Sequence, residues 1–228
     1  MPTLYIVATP IGNLKDITFR AVEVLGSVDL ILCEDTRTTK RLLDAYAITT
    51  KTASYNSKST TAKKEYIFSL LEEGKSIALV SDAGTPCISD PGVLIVSQVR
   101  ERFGDAVAVV PIPGASALVT ALSASGVPAS EFLFLGFLPH KKGRETLFKE
   151  IAASDRAVAF YESPHRIAKT LSSLAEHLEP DRKIVIGREL TKLFEQFTTG
   201  TPAEIQTYFE SHPDKMKGEF VVIVSPKS

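Results

Sequence analysis

Residues 76–92 read SIALVSDAGTPCISDPG, a short apolar run that passes straight into a polar segment holding two aspartates, two prolines and two glycines. An apolar run of this length, bounded by turn residues, reads as a buried strand, over 76–80. Pro86 and Pro91 remove backbone freedom and two N–H donors, whereas Gly84 and Gly92 permit positive φ or close approach. A stiff loop that carries Ser, Thr and Asp side chains beside free amides can hold the polar parts of a small ligand. A well-capped turn would use the same residues.

The alternation of strand and helix extends outward from this segment. Strands are expected at 4–8, at 29–33, briefly within the Ser/Thr/Lys-rich stretch 51–64, and at 106–110. Helical spacing falls at 17–25, 36–46, 62–71 and 92–102. Parallel strands require such crossover helices, so the first half predicts a mostly parallel sheet. Pro111, Pro113 and Gly114 interrupt the pattern and divide the chain into two α/β lobes, 1–112 and 113–228. Beyond the break, a small-residue helix at 115–124 precedes strands at 132–136, 157–161, 183–187, 194–199 and 219–224. Helices fit 145–153, 164–177 and 203–210, with Ser163 as N-cap and Pro164 at the first helical position. The closing strands have less helix between them, which predicts a mixed second sheet.

Composition narrows the class. With 44% hydrophobic and 23% charged residues among 228, the chain is an ordinary globular one. A net charge of −1 argues against a surface coated in positive charge, so a nucleic-acid ligand would need a local basic patch. No apolar run approaches the roughly 20 residues of a membrane span. The N-terminal MPTLYIVATP enters a strand without a basic stretch or cleavable apolar region, so the protein is expected to be cytoplasmic. Cys33 and Cys87 lack metal-ligand spacing and read as reduced, half-buried thiols; the four histidines are scattered, and no metal site is expected.

Binding loops in open α/β sheets lie beyond the carboxyl ends of strands. Residues 9–16 form such a loop, but one glycine, Gly12, gives neither a dinucleotide fingerprint nor a P-loop, and a turn capped by Asp16 is the plain alternative. Residues 111–117 place small residues at a helix start, where exposed amides can meet a ligand or pack tightly on the sheet. Residues 160–166 carry Tyr161, Glu162, His165 and Arg166, which could face a cleft or form a surface pair. Glu34, Asp35 and Arg37 are the tight acid–base cluster at a strand end, with a helix cap at Asp35 or Thr36 as the alternative.

Eight segments occur in order: T-P-I-G-N-L-x-D-I-T at 9–18, E-D-T-R at 34–37, V-S-D-A-G-T-P-x-I-S-D-P-G at 80–92, P-x-P-G-A-S-A at 111–117, G-F-L-P at 136–139, F-Y-E-S-P-H-R at 160–166, R-E-L-T-K at 188–192 and K-G-E-F-V at 217–221. Together they resemble the ribosomal RNA small subunit methyltransferase I family of the tetrapyrrole methylase superfamily, over nearly the whole chain. The resemblance implies a two-lobed tetrapyrrole-methylase-like α/β fold, a homodimer, and S-adenosylmethionine bound in the cleft between lobes. It implies methylation of the ribose 2′-hydroxyl of a cytidine in the decoding region of small-subunit ribosomal RNA. By motif position the cofactor contacts are Pro10, Ser81, Asp82, Ala83, Gly84, Thr85, Pro86, Ile88, Ser116, Ala117, Tyr161, Leu190, Gly218 and Glu219. Glu34 and Asp35 are the candidate bases for the hydroxyl, and Arg37 would hold phosphate or steady charge. Lys40 and Arg41 form one basic cluster for RNA, and Lys141, Lys142 and Arg144 form another.

Two departures stand out. Members of that family commonly continue into a small helical C-terminal region, whereas this sequence stops at Ser228. They also tend to carry two adjacent arginines after K-G, and here Arg144 is followed by Glu145. A tetrapyrrole methyltransferase would share fold and cofactor but usually has a glycine-rich first loop, absent at 9–16. A non-enzymatic RNA-binding assembly factor would leave the stiff loop at 81–92 without a purpose.

Overall fold

The computed structural model describes residues 1–56, 58–90 and 92–227. Ser57, Pro91 and Ser228 lie outside the described residues, so the stiffening expected of Pro91 and the chain end at Ser228 carry no structural account. The chain forms two compact units, Met1–Ser116 and Ala117–Ser228.

In the first unit β1 (Thr3–Val7), α1 (Phe19–Ser27), β2 (Leu30–Cys33), α2 (Thr36–Ala45), β3 (Thr52–Ser54), α3 (Thr61–Glu72), β4 (Ile77–Val80), α4 (Val93–Phe103) and β5 (Ala108–Ile112) alternate along the chain. The five strands lie in the order β3-β2-β4-β1-β5, and every pairing is parallel. Strand periodicity sends alternate residues to opposite faces. Leu4, Leu30, Leu32, Ile77 and Leu79 pack with Ile67 and Leu71 of α3 and Ile95 and Val99 of α4. Val7, Ile31, Cys33, Ala78 and Val80 pack with Ala21 and Leu25 of α1 and Leu43 of α2. The strands β2 and β4 are buried throughout, which is why their sequences run apolar without alternation.

The strand order places the site. From β1 the chain crosses by α1 to β2, and from β4 it crosses by α4 to β5, in opposite directions over opposite faces. Neighbouring strands β1 and β4 therefore form a topological switch point, where ligands bind in open α/β sheets. The loop after β1 and the loop after β4 meet there in an isolated bridge between Thr9 and Gly84.

The second unit contains α5 (Ala117–Ser125), β6 (Phe132–Phe137), α6 (Arg144–Ala153), β7 (Ala157–Glu162), α7 (Ile167–His177), β8 (Ile184–Arg188), β9 (Gln196–Gly200), α8 (Pro202–Ser211) and β10 (Phe220–Val224). Its sheet runs β6-β7-β10-β8-β9 and is mixed: β6 and β7 are parallel across α6, while the pairings of β10 and β9 are antiparallel. Helix α7 starts at Ile167 with Arg166 as N-cap, three residues later than the sequence reading places its first helical residue. The Ser163 carbonyl accepts the N–H groups of both Arg166 and Ile167, so 163–166 form a separate turn ahead of the helix.

Candidate functional site

All four first-unit motifs follow parallel strands and so emerge at one edge of the sheet. The loop after β4 is held from inside. Ser81 is buried, and its hydroxyl donates to the Gly84 carbonyl at 3.0 Å; the Thr9 hydroxyl donates to the Ser81 carbonyl at 3.1 Å. Thr9 and Gly84 exchange main-chain hydrogen bonds of 2.9 and 3.0 Å. The Thr85 hydroxyl reaches the Ala115 carbonyl at 3.1 Å, tying the loop after β5 to the same assembly. Asp90 accepts from the Cys87 and Gly92 amides at 2.8 and 2.9 Å. The Ser81 and Thr85 hydroxyls therefore shape the loop, and its outward side chains are exposed Asp82, Ala83, Ile88 and Ser89.

Backbone strain accompanies that shape. Cys87 and Ser89 take φ of 71° and 65°, at about 1–3 kcal/mol each. Gly84 has φ of 81°, and a Cβ there would stand 3.2 Å from Ile11 Cγ2, so glycine is favoured where the two loops touch. Burial, with the Asp90 charge added, pushes the Cys87 thiol up to about 11; burial raises Cys33 as well. Both remain thiols rather than nucleophiles.

The acids at this edge separate into roles that the sequence leaves together. Asp35 is the N-cap of α2: one oxygen accepts from the Arg37 amide at 2.8 Å and Nε at 3.1 Å, and the other accepts Nη2 at 2.7 Å. The Arg37 side chain holds its carboxyl at about 2. Asp82 Oδ1 accepts from the Asp35 amide at 3.0 Å, which joins the loop after β4 to the start of α2. Asp90 is occupied within its own loop. The Glu34 side chain takes no hydrogen bond or ion pair among the described residues, and neither does that of Asp16 in the loop after β1; for Glu34, burial first, then the Asp82 and Asp90 charges, raise the pKa.

S-adenosylmethionine, implied by the resemblance, carries an ammonium, a carboxylate and an adenine, so its site needs acceptors, N–H donors and apolar walls. The switch-point loops fit. Asp82 keeps Oδ2 without a partner among the described residues, Ala83 is exposed, and Ile88 is 47% exposed.

The second unit gathers its candidate residues in two places. Half-buried Tyr161 packs edge-on to Phe134 at 5.0 Å; burial raises its phenol, opposed by the Leu118 main chain in the first turn of α5, beside Ala117. Buried Leu190 sits between Glu189 and Thr191, both left-handed at φ of 50° and 66°. Glu189 Oε1 accepts the Glu219 amide and Lys192 Nζ, each at 2.9 Å, and Lys192 also reaches Glu219 Oε2 at 2.9 Å. Gly218 completes the cluster at φ of 106°. The Thr191 hydroxyl is buried without a partner among the described residues.

The basic groups need one correction. Lys141 and Lys142 are exposed, as are Lys40, paired with Asp44 at 2.7 Å, and Arg41. Arg144 is buried, with its guanidinium on Thr170 Oγ1 at 2.7 Å and the Pro139 carbonyl at 3.2 Å, so it supports the basic loop from within instead of meeting RNA. Glu162 and Arg166 also turn inward, whereas His165 of the same motif stands exposed. Sequence reasoning missed Thr170 and the anchoring parts of Asp82 and Asp90.

Residues 3–206 match the family model described as Tetrapyrrole (Corrin/Porphyrin) Methylases. The chain is 49% identical over 224 residues to the Ribosomal RNA small subunit methyltransferase I of Vibrio cholerae, covering 98% of this chain and 77% of that protein. It is 44% identical over 227 residues to the protein of the same name from Thermotoga maritima, covering all of both chains. Among solved structures, diphthine synthase superposes with a TM-score of 0.73 at 16% identity, covering 99% of this chain and 90% of that one; at that identity the likeness is one of fold.

Proposed function

This chain belongs to the ribosomal RNA small subunit methyltransferase I family within the tetrapyrrole methylases and is an S-adenosylmethionine-dependent methyltransferase; we propose that it methylates the ribose 2′-hydroxyl of a cytidine in the decoding region of small-subunit ribosomal RNA. The observation that carries the acceptor chemistry is Glu34, a carboxylate at the switch-point edge with no internal partner among the described residues. A ribose hydroxyl needs such a group to take its proton as its oxygen gains carbon.

When bound, S-adenosylmethionine supplies a methyl group already activated on a sulfonium. The chain's own work is then positioning and proton removal. Asp82 and the main chain of 82–85 would hold the polar end of the cofactor, with Pro10, Pro86, Ile88 and Ser116 around them. From the second unit, Ala117, Tyr161, Leu190, Gly218 and Glu219 are the proposed contacts. Arg37, 88% exposed at its side chain, would meet phosphate with the donors that Asp35 leaves free.

Incubation with methyl-labelled S-adenosylmethionine and small ribosomal subunits, followed by nucleoside analysis, tests the reading. Label in 2′-O-methylcytidine is expected; label on a base, or only on an added porphyrinoid, would sink it. The protein is further proposed to act as a cytoplasmic homodimer, a reading supported by exposed Phe132, Leu133 and Phe137 on edge strand β6. A single monomeric species in sedimentation velocity would remove the dimer.

Two variants address the polar groups. Asp35→Ala should lower both thermal stability and turnover by loosening α2 and Arg37, while Asp35→Asn keeps the cap and most of both. Equal inactivity of the two, with folding intact, would make Asp35 the base. Lys142→Glu should weaken binding to small subunits and reduce the slope of log affinity against log salt by about 1. An unchanged slope would mean that Lys142 faces only solvent.

A further inference from the structure

The G-F-L-P and F-Y-E-S-P-H-R segments are joined by a buried charge cluster. Glu162 ends β7 with its side chain fully buried. Its Oε1 accepts the Ser163 amide at 2.7 Å and forms an ion pair with Arg166 Nε at 2.8 Å; its Oε2 accepts the Thr170 hydroxyl at 2.7 Å and lies 3.9 Å from Arg144 Nη2. Thr170 Oγ1 in turn accepts from Arg144 Nη2 at 2.7 Å. Each arginine then points its remaining arm at the loop after β6: Arg166 Nη1 to the Leu138 carbonyl at 2.7 Å, and Arg144 Nη1 to the Pro139 carbonyl at 3.2 Å.

Two consecutive carbonyls are thus gripped by two cations that share one buried carboxylate. Buried arginines are tolerable when charge and most hydrogen bonds are matched in this way, although Arg144 Nε stays buried without a partner among the described residues. Beyond the grip, Gly143 at φ of 81° turns the chain into α6. Between these fixed ends stand His140, Lys141 and Lys142, all exposed and without an ion pair among the described residues.

We propose that Glu162, Arg166 and Arg144 are positioning residues that hold the His140, Lys141 and Lys142 tip in a preformed shape for the phosphates of the RNA substrate, so that this clamp sets RNA affinity rather than the chemical step. The proposal rests on the ribosomal RNA reading. A tip held before binding loses little conformational freedom on meeting phosphate, whereas a loose one surrenders that freedom at the binding step.

Arg166→Lys tests it, since lysine keeps the charge beside Glu162 but cannot serve both Glu162 and Leu138. Thr170→Val, nearly isosteric, is the second variant should Arg166→Lys fold poorly. With full-length protein, the KM for small ribosomal subunits should rise about five-fold while kcat and S-adenosylmethionine affinity hold, the size expected when ordering a side chain or two is returned to binding. Amide hydrogen exchange should quicken at 140–143 more than elsewhere. The rise in KM should also shrink when Lys141→Ala and Lys142→Ala are already present, because the clamp acts through those side chains. A fall in kcat with unaltered exchange at 140–143, or a KM effect that adds fully to the lysine variants, would overturn the clamp. Wild-type protein that fails to label small subunits would instead overturn the RNA reading itself.

Discussion

Glu34→Gln is expected to slow methyl transfer to small ribosomal subunits by about 10²–10⁴-fold, the span of a lost general base, while S-adenosylmethionine affinity stays within about two-fold because no charge-assisted contact to the cofactor is asked of this residue. Glutamine keeps the shape of the side chain but cannot take the hydroxyl proton. Three other acids at this edge are committed: Asp35 to the α2 cap and Arg37, Asp82 Oδ1 to the Asp35 amide, and Asp90 to two amides of its own loop. The pH profile supplies the second check. A base works only when unprotonated, so turnover rises as pH climbs through its pKa. Burial, then Asp82 and Asp90, place that limb above the ordinary glutamate range. Asp82→Asn retains an oxygen for the Asp35 amide but deletes one charge, and at saturating cofactor it should move the limb to lower pH. Glu34→Gln with near wild-type turnover, or an acid limb indifferent to Asp82→Asn, would remove Glu34 from the chemistry.

The strand-end loops were legible because the apolar runs before them are short, buried and separated by helices, and parallel topology then leaves only one edge for them. The mixed second sheet was readable in the same way, from the scarcity of helix between 183 and 200. The direction of polar side chains within loops was not. Ser81 and Thr85 look in sequence like ligand donors, but each satisfies a carbonyl inside the loop assembly. Arg144 follows two exposed lysines and reads as a third basic contact, until Thr170 and Glu162, separated from it by 26 and 18 positions in the chain, draw it inward. Such partners meet only through the packing of α6 and α7 on β7, which no local pattern encodes. Asp35 lay between these cases. Its place before a helical run already marked a cap, and the cap geometry is what separates it from Glu34.

Gly218→Ala is expected to lower stability by about 2 kcal/mol or more and to weaken S-adenosylmethionine binding with it. At φ of 106° a side chain carries left-handed strain of about 1–3 kcal/mol. A Cβ at this position would also stand 2.6 Å from Glu189 Cγ and 2.7 Å from Cδ, closer than packed carbons tolerate. Glu189 could swing away in isolation, but Lys192 Nζ and the Glu219 amide both hold its carboxylate, and Glu189 is itself left-handed. Relief would therefore have to come from 188–192, the segment that carries the proposed cofactor contact Leu190, which is why cofactor affinity should fall with stability. Glu189→Ala removes the colliding atoms while sacrificing the Lys192 pair, so the double variant should lose less than the sum of the two single losses in denaturant unfolding. Strict additivity would mean that the collision is absorbed elsewhere and that only backbone strain counts at Gly218. A stable Gly218→Ala protein with unchanged cofactor affinity would show that the 188–192 turn does not shape the cofactor site.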